Sequence, residues 1–237
     1  MTDRDLAELA LLSYRDRQLI SDRYGSGMRI YRTSHARAIL VERKNQCVVA
    51  FTGTDDLDDV RADIRGGLVK HTVGRVHAGF LGYLLQIWGR IRSALLQIDK
   101  PVVFCGHSLG GAAACIAALD WVHSGLVCDR LVTFGQPRVG DRKFAAGIEE
   151  SGIEHIRYVC CADVVSRLPR VGIWPLPVAS YRHSGTLIYL GCDGQRRVDP
   201  SRWSIGWDRA TGRIRGILAA VFRGVTDHSM SGYLRRV

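Results

Sequence analysis

Apolar residues along the chain follow two spacings, and the switches between them mark the elements. Residues 3 to 14 read as a helix, and Gly79 to Ile98 read as a long amphipathic one. Between them, Ala36 to Glu42 and Gln46 to Phe51 read as the strands of an N-terminal antiparallel hairpin turning at Lys44-Asn45. Val102-Val103-Phe104 is a continuous apolar run, which suits a strand buried on both faces. Ala112, Ala113, Ala114, Ala117, Ala118 and Leu119 then suit a helix packed tightly on a sheet. Farther on, Leu131 to Phe134 and Ile156 to Cys161 are strand-like, and Arg142 to Glu149 is helical. Thr186 to Leu190 and Gln195 to Val198 form a second hairpin around Cys192-Asp193-Gly194. Ile214, Ile217, Leu218, Val221 and Phe222 share one helical stripe. Strands alternating with helices predict an α/β fold, a mostly parallel central sheet flanked by helices on both faces, with ligands at the carboxyl ends of the strands. No repeat, low-complexity tract or linker divides residues 1 to 237, so a single domain is expected.

Composition narrows the class. A chain of 237 residues with 46% hydrophobic content can bury a sizeable core. No apolar run approaches the ~20 residues that span a bilayer, and the charged start, Met-Thr-Asp-Arg-Asp-Leu, does not read as a signal segment. Seven cysteines (47, 105, 115, 128, 160, 161, 192) lie largely in apolar runs, as buried thiols do, which points to a reducing compartment, cytoplasmic by default. No Cys/His spacing fits zinc, and Asp55, Asp56, Asp58, Asp59 and Asp63 lack the glycine and glutamate of an EF-hand loop. No metal and no cofactor is therefore expected. The formal charge of +10 is uneven, with nine arginines between 196 and 237 against Asp199, Asp208 and Asp227. Such a surface suits anionic lipid headgroups or nucleic acid. With no nucleic-acid motif beside the charge, and 29 arginines against 4 lysines chain-wide, residue usage is the simpler cause and no nucleic-acid partner is expected.

The strand at 102 stops on Gly106-His107-Ser108-Leu109-Gly110 and passes straight into the Ala-rich helix. A serine on so sharp a strand-to-helix turn adopts strained backbone angles, and the flanking glycines remove side chains that would clash. The turn lifts the hydroxyl clear of the sheet and leaves the Leu109 amide at a helix N-terminus, where it can stabilise a developing oxyanion.

A serine nucleophile needs a base, and the base needs an orienting acid. His228 lies in the polar loop Gly224 to Ser229, beyond the last helix, and is the best-placed base. His123 sits in the helix after the serine, and His155 sits at the wrong end of its strand. His183, in Tyr181-Arg182-His183-Ser184-Gly185, competes, although a backbone hydrogen bond is its commoner role. Asp163 follows the strand 156 to 161, where a parallel strand delivers a side chain to the active edge; a turn cap is its alternative. Phe51-Thr52-Gly53-Thr54 ends an apolar strand with a glycine that permits close backbone approach, so the Thr54 amide is the second oxyanion donor.

Taken together, Phe51-Thr52-Gly53-Thr54, Val76-His77-Ala78-Gly79-Phe80, Gly106-His107-Ser108-Leu109-Gly110-Gly111, Thr133 to Asp141 and Asp227-His228-Ser229 resemble the class 3 lipase family of α/β hydrolases over roughly residues 46 to 233. The resemblance implies the α/β-hydrolase fold, with Ser108 as nucleophile, Asp163 as acid, His228 as base, Thr54 and Leu109 as the oxyanion hole, and His77 as a structural residue. It also implies acyl-ester lipids such as acylglycerols as substrates, with peripheral contact to a lipid surface. A phospholipase or acyltransferase would use the same triad, and a lipid-binding module without catalysis is a further alternative. Two departures stand out. Thr52 replaces the family's usual arginine, and the lid stretch, 55 to 75, is charged, with only Leu57, Val60, Ile64, Leu68 and Val69 for a short amphipathic cover.

Overall fold

The computed structural model describes residues 1–53, 67–161, 163–169, 181–215 and 228–237. Helix α1 (Asp3–Leu12) starts on a capping box, the Asp5 N–H donating to Thr2 Oγ1 at 3.2 Å and the Thr2 N–H to Asp5 Oδ2 at 2.8 Å. After α2 (Arg17–Tyr24) come β1 (Met28–Arg32), β2 (Arg37–Glu42) and β3 (Cys47–Phe51), and then the small pair β4 (Leu68–Lys70) and β5 (Arg75–His77). Helix α3 (Ala78–Leu95), β6 (Val102–His107), α4 (Leu109–His123), β7 (Cys128–Phe134), α5 (Arg142–Glu150) and β8 (Glu154–Cys160) alternate as expected. The chain continues through β9 (Thr186–Leu190), β10 (Arg196–Val198), α6 (Arg202–Arg215) and the short α7 (Met230–Leu234).

Among the described residues one sheet has the order β1-β2-β3-β6-β7-β8-β9-β10. Its centre, β3 through β9, is parallel, and β1-β2, β2-β3 and β9-β10 are antiparallel. The period of two explains why the central strands read as unbroken apolar runs. Cys47, Val49, Phe51, Val102 and Phe104 pack beneath α3 and α4, while Val48, Ala50, Val103 and Cys105 face α1 on the other side. Both faces are covered, so neither can be polar. This is the α/β-hydrolase architecture with its N-terminal hairpin, extended outward by β1.

The differences from the sequence reading have local causes. β1 carries Arg29 and Arg32 and is nowhere fully buried, as an edge strand should be, so hydropathy does not reveal it. Leu68 and Val69, expected on a helical cover, lie in β4, which pairs antiparallel with β5. Leu57, Val60 and Ile64 fall outside the described residues, as do the aspartates 55 to 63. Of the stripe beginning at Ile214, only that first residue falls within the described helix α6; Ile217, Leu218, Val221 and Phe222 lie outside. The cysteines divide. Cys47, Cys105, Cys115, Cys128 and Cys160 are buried thiols, but Cys161 and Cys192 form a disulfide that ties the end of β8 to the β9-β10 hairpin, a bond that persists in oxidising surroundings.

Candidate active site

Strand β6 ends at His107, and Ser108 turns the chain into α4 with φ 54° and ψ −125°. A positive φ on a non-glycine residue is strained, and the surroundings must enforce it. They do so through close backbone contact. A Cβ on Gly106 would stand 2.4 Å from the Gly110 carbonyl oxygen, and one on Gly110 would stand 2.2 Å from that of Phe51. These glycines let α4 seat directly on β3 and β6, and the Ser108 N–H donates to the Phe134 carbonyl at 2.9 Å. Leu109 opens α4, so its N–H belongs to the first turn, where the helix supplies no acceptor.

Asp163 lies three residues beyond β8 and is fully buried. Its Oδ1 accepts from the Val165 N–H at 2.8 Å and, more weakly, from the Ser166 N–H at 3.4 Å. Its Oδ2 faces His228 Nδ1 at 2.9 Å and accepts from the Tyr233 hydroxyl at 2.5 Å. The turn-capping role and the orienting role are therefore filled at once, by different oxygens of one carboxylate. The backbone at Gly135 has φ +59°, and a Cβ there would lie 2.8 Å from Asp163 Oδ2 and 3.0 Å from His228 Nδ1. Glycine lets the β7 end support the pair from below. Ser108 Oγ and His228 Nε2 are among several buried polar atoms that have no hydrogen-bond partner among the described residues. An unsatisfied buried polar atom costs about 1–3 kcal/mol, and these two are the atoms through which a serine and a histidine would meet a substrate.

The second oxyanion donor expected, Thr54, lies outside the described residues. The strand end leading to it is anchored without the arginine that Thr52 replaces. Thr52 Oγ1 donates to the Ser13 carbonyl at 3.1 Å, and the Tyr83 hydroxyl stands 2.6 Å from the Thr52 carbonyl. A Cβ on Gly53 would come within 3.1 Å of Ser108 Cβ, which puts this segment directly beside the serine.

The profile of the Lipase (class 3) family matches residues 48–172, more than half of the chain. The chain belongs to the class 3 lipase family. Curated relatives include a lipase of Rhizomucor miehei, 38% identical over 133 residues, covering 51% of this chain and 37% of that protein. Another is the secreted mono- and diacylglycerol lipase 1 of Fusarium solani, 36% identical over 154 residues, covering 56% and 44%. The match thus spans less than half the length of either relative. In three dimensions, the triacylglyceride lipase of Rhizomucor miehei superposes with a TM-score of 0.67 at 24% identity, covering 81% of this chain and 80% of that one.

Within this class 3 lipase fold the other histidines have structural places. His77 is fully buried and caps α3, accepting from the Gly79 N–H at 3.2 Å. His183, the competing base, stands 2.8 Å from the Ser166 carbonyl by Nε2; burial, with Arg157 and Arg138 nearby, holds its pKa well below the ordinary value. His155 is buried at the start of β8, pushed down to about 3 by burial and by Arg157. His107 carries a role that sequence reasoning missed. Its Nε2 is 2.6 Å from the His228 carbonyl, which can only accept, so Nε2 bears the proton and Nδ1 accepts from the Tyr14 hydroxyl at 2.7 Å. Burial, then the neighbouring His228, push its pKa down to about 3, so this ring is a neutral strut that fixes the His228 backbone.

Tyr233 was also missed, since five residues past a histidine is no recognisable spacing. Burial, then the Asp163 charge, raise its phenol well above the ordinary value, so it stays protonated and donates to Asp163 while accepting from the Cys160 N–H at 3.0 Å. Tyr233→Phe removes a donor from Asp163 and an acceptor from the Cys160 N–H, which should cost about 1–3 kcal/mol in urea unfolding. It should also lower kcat about tenfold with KM unchanged, because charge-assisted hydrogen bonds to the acid fix the imidazole. An unaltered kcat would remove Tyr233 from the positioning of the site.

Proposed function

We propose that this chain is a serine carboxylic-ester hydrolase that cleaves acyl esters such as acylglycerols through an acyl-enzyme on Ser108. One observation carries the reading: His228 is held by Nδ1 on Asp163 while its Nε2 and the Ser108 hydroxyl, on a strained elbow, are both left without partners among the described residues. In this mechanism Ser108 Oγ attacks the ester carbonyl as His228 Nε2 takes its proton. The imidazolium so formed is stabilised by Asp163 and returns the proton to the departing alcohol. Water then attacks the acyl-enzyme, with the same histidine as base. The Leu109 and Thr54 amides are the proposed donors to the oxyanion, the first supported by its place at the start of α4. Family membership and the lipase names of the relatives support the substrate class.

The test is covalent. A p-nitrophenyl alkylphosphonate, which mimics the tetrahedral intermediate, should attach to Ser108 alone, release one equivalent of p-nitrophenol per chain, and abolish hydrolysis of p-nitrophenyl acyl esters. Peptide mass analysis locates the adduct; no adduct, or an adduct elsewhere with activity lost, overturns the reading. Product analysis with an added alcohol shows whether water or another acceptor resolves the acyl-enzyme.

A further inference from the structure

Helix α6 docks on the β8–β9 flank through Ile205 and Asp208 and leaves its tryptophans outside. Asp208 is the side it buries, accepting from the Tyr189 hydroxyl at 2.9 Å and the Cys192 N–H at 2.8 Å. Arg209 follows, its Nε donating to the Cys161 carbonyl at 2.6 Å and its guanidinium lying over the Tyr189 ring. The aromatic side faces out. Trp203 is 83% exposed and Trp207 is 68% exposed, one turn apart on one helix face, and Ala210, a further turn on, is exposed as well. Trp203 is the most exposed large apolar side chain among the described residues. Amphipathic helices in globular proteins bury their aromatic face, and here Ile205 and Asp208 turn inward while the tryptophans stay outside.

We propose that the Trp203–Trp207 face of α6 is an adhesion surface for anionic lipid bilayers. Two features favour lipid over a protein partner or a second copy. The helix carries four arginines, Arg202, Arg209, Arg213 and Arg215, and its one acidic residue is the buried Asp208, so its charge complements anionic headgroups. Exposed tryptophan flanked by arginine is the side-chain pairing that settles at the headgroup level of a membrane, where the indole is half apolar and half polar. Position supplies the consequence. Arg209 and Asp208 fasten α6 to Cys161 and Cys192, the first of them two residues before Asp163, at the same sheet edge as Ser108. Adhesion through this face would keep Ser108 at the surface that carries acyl esters. That benefit rests on the ester-hydrolase reading, but the binding does not.

The test uses the Ser108→Ala chain, so that binding is measured without turnover. Co-sedimentation with phosphatidylcholine vesicles, with and without phosphatidylglycerol, should show binding that rises with the anionic lipid and falls with salt. Trp203→Ser/Trp207→Ser should lower the partition coefficient at least tenfold. Arg202→Gln should lower it about fivefold on anionic vesicles only. On the active chain, the double tryptophan variant should keep full rate on a dissolved short-chain ester and lose rate on the same ester class embedded in vesicles. No sedimentation with anionic vesicles, or equal binding by the double variant, overturns the proposal. So does a shift of the parent chain from dimer to monomer on gel filtration when the tryptophans are removed, which would assign the face to a second copy. Loss of hydrolysis by the phosphonate criterion with binding intact would sink only the hydrolase reading.

Discussion

Ser108→Ala should lower kcat on p-nitrophenyl butyrate by about 10⁵- to 10⁶-fold without lowering the thermal unfolding midpoint. The loss is large because serine, histidine and acid act as one unit, and removing the nucleophile leaves only binding and the oxyanion donors, worth about 10³–10⁴ over water. Stability should hold because Ser108 Oγ makes no hydrogen bond among the described residues and caps no helix N–H. Alanine tolerates the same φ of 54° no worse than serine, so the elbow keeps its shape. A steady-state assay against the active parent, with unfolding followed by circular dichroism, decides it. A residual rate within a hundredfold of the parent would mean that another group delivers the nucleophile.

Asp163→Asn should lower kcat by about 10⁴-fold, through the tautomer of His228 rather than through its position. The amide must place its NH2 at one of the two oxygen sites. The Oδ1 site receives the Val165 and Ser166 N–H groups, which cannot turn away. At the Oδ2 site, the Tyr233 hydroxyl can rotate to accept, and imidazole can move its proton. The NH2 therefore takes the Oδ2 site, His228 Nδ1 becomes an acceptor, and Nε2 carries the proton. In that form Nε2 cannot take a proton from Ser108. KM should change little, because no substrate contact is lost. A drop of less than tenfold would mean that the acid does not set the histidine's protonation, and nitrogen NMR of the ring in both chains reads the tautomer directly.

The parts of the site that announced themselves in the sequence are those whose function demands a local backbone. Gly106 and Gly110 around Ser108 are required because Cβ atoms there would overlap the backbone of α4 and of β3, and such a requirement leaves a readable signature. Asp163 and His228 could be placed because parallel strands deliver their loops to one edge, so chain order and strand ends locate them. Tyr233, His107 and Tyr14 left no such trace. They work through hydrogen bonds that reach across 70, 121 and 93 residues of sequence, and nothing in a neighbour's identity reports a contact of that kind. Helix α6 was not read from the sequence for a related reason. It begins at Arg202 and docks through Asp208, a polar anchor that an apolar stripe does not reveal, while most of the stripe starting at Ile214 lies outside the described residues.

By itself, the sequence determined the alternation of elements, the double-sided burial of the central strands and the strained turn at Ser108, because each depends on periodicity or on the absence of a side chain. Tertiary structure alone decided which donors hold Asp163, which histidine faces that carboxylate, that two of seven cysteines are bridged, and that α6 shows its tryptophans to solvent. Those outcomes depend on distances between groups far apart in the chain. Hydropathy constrains how much surface is buried, but the partner of a buried polar group is fixed only when the sheet brings the two together.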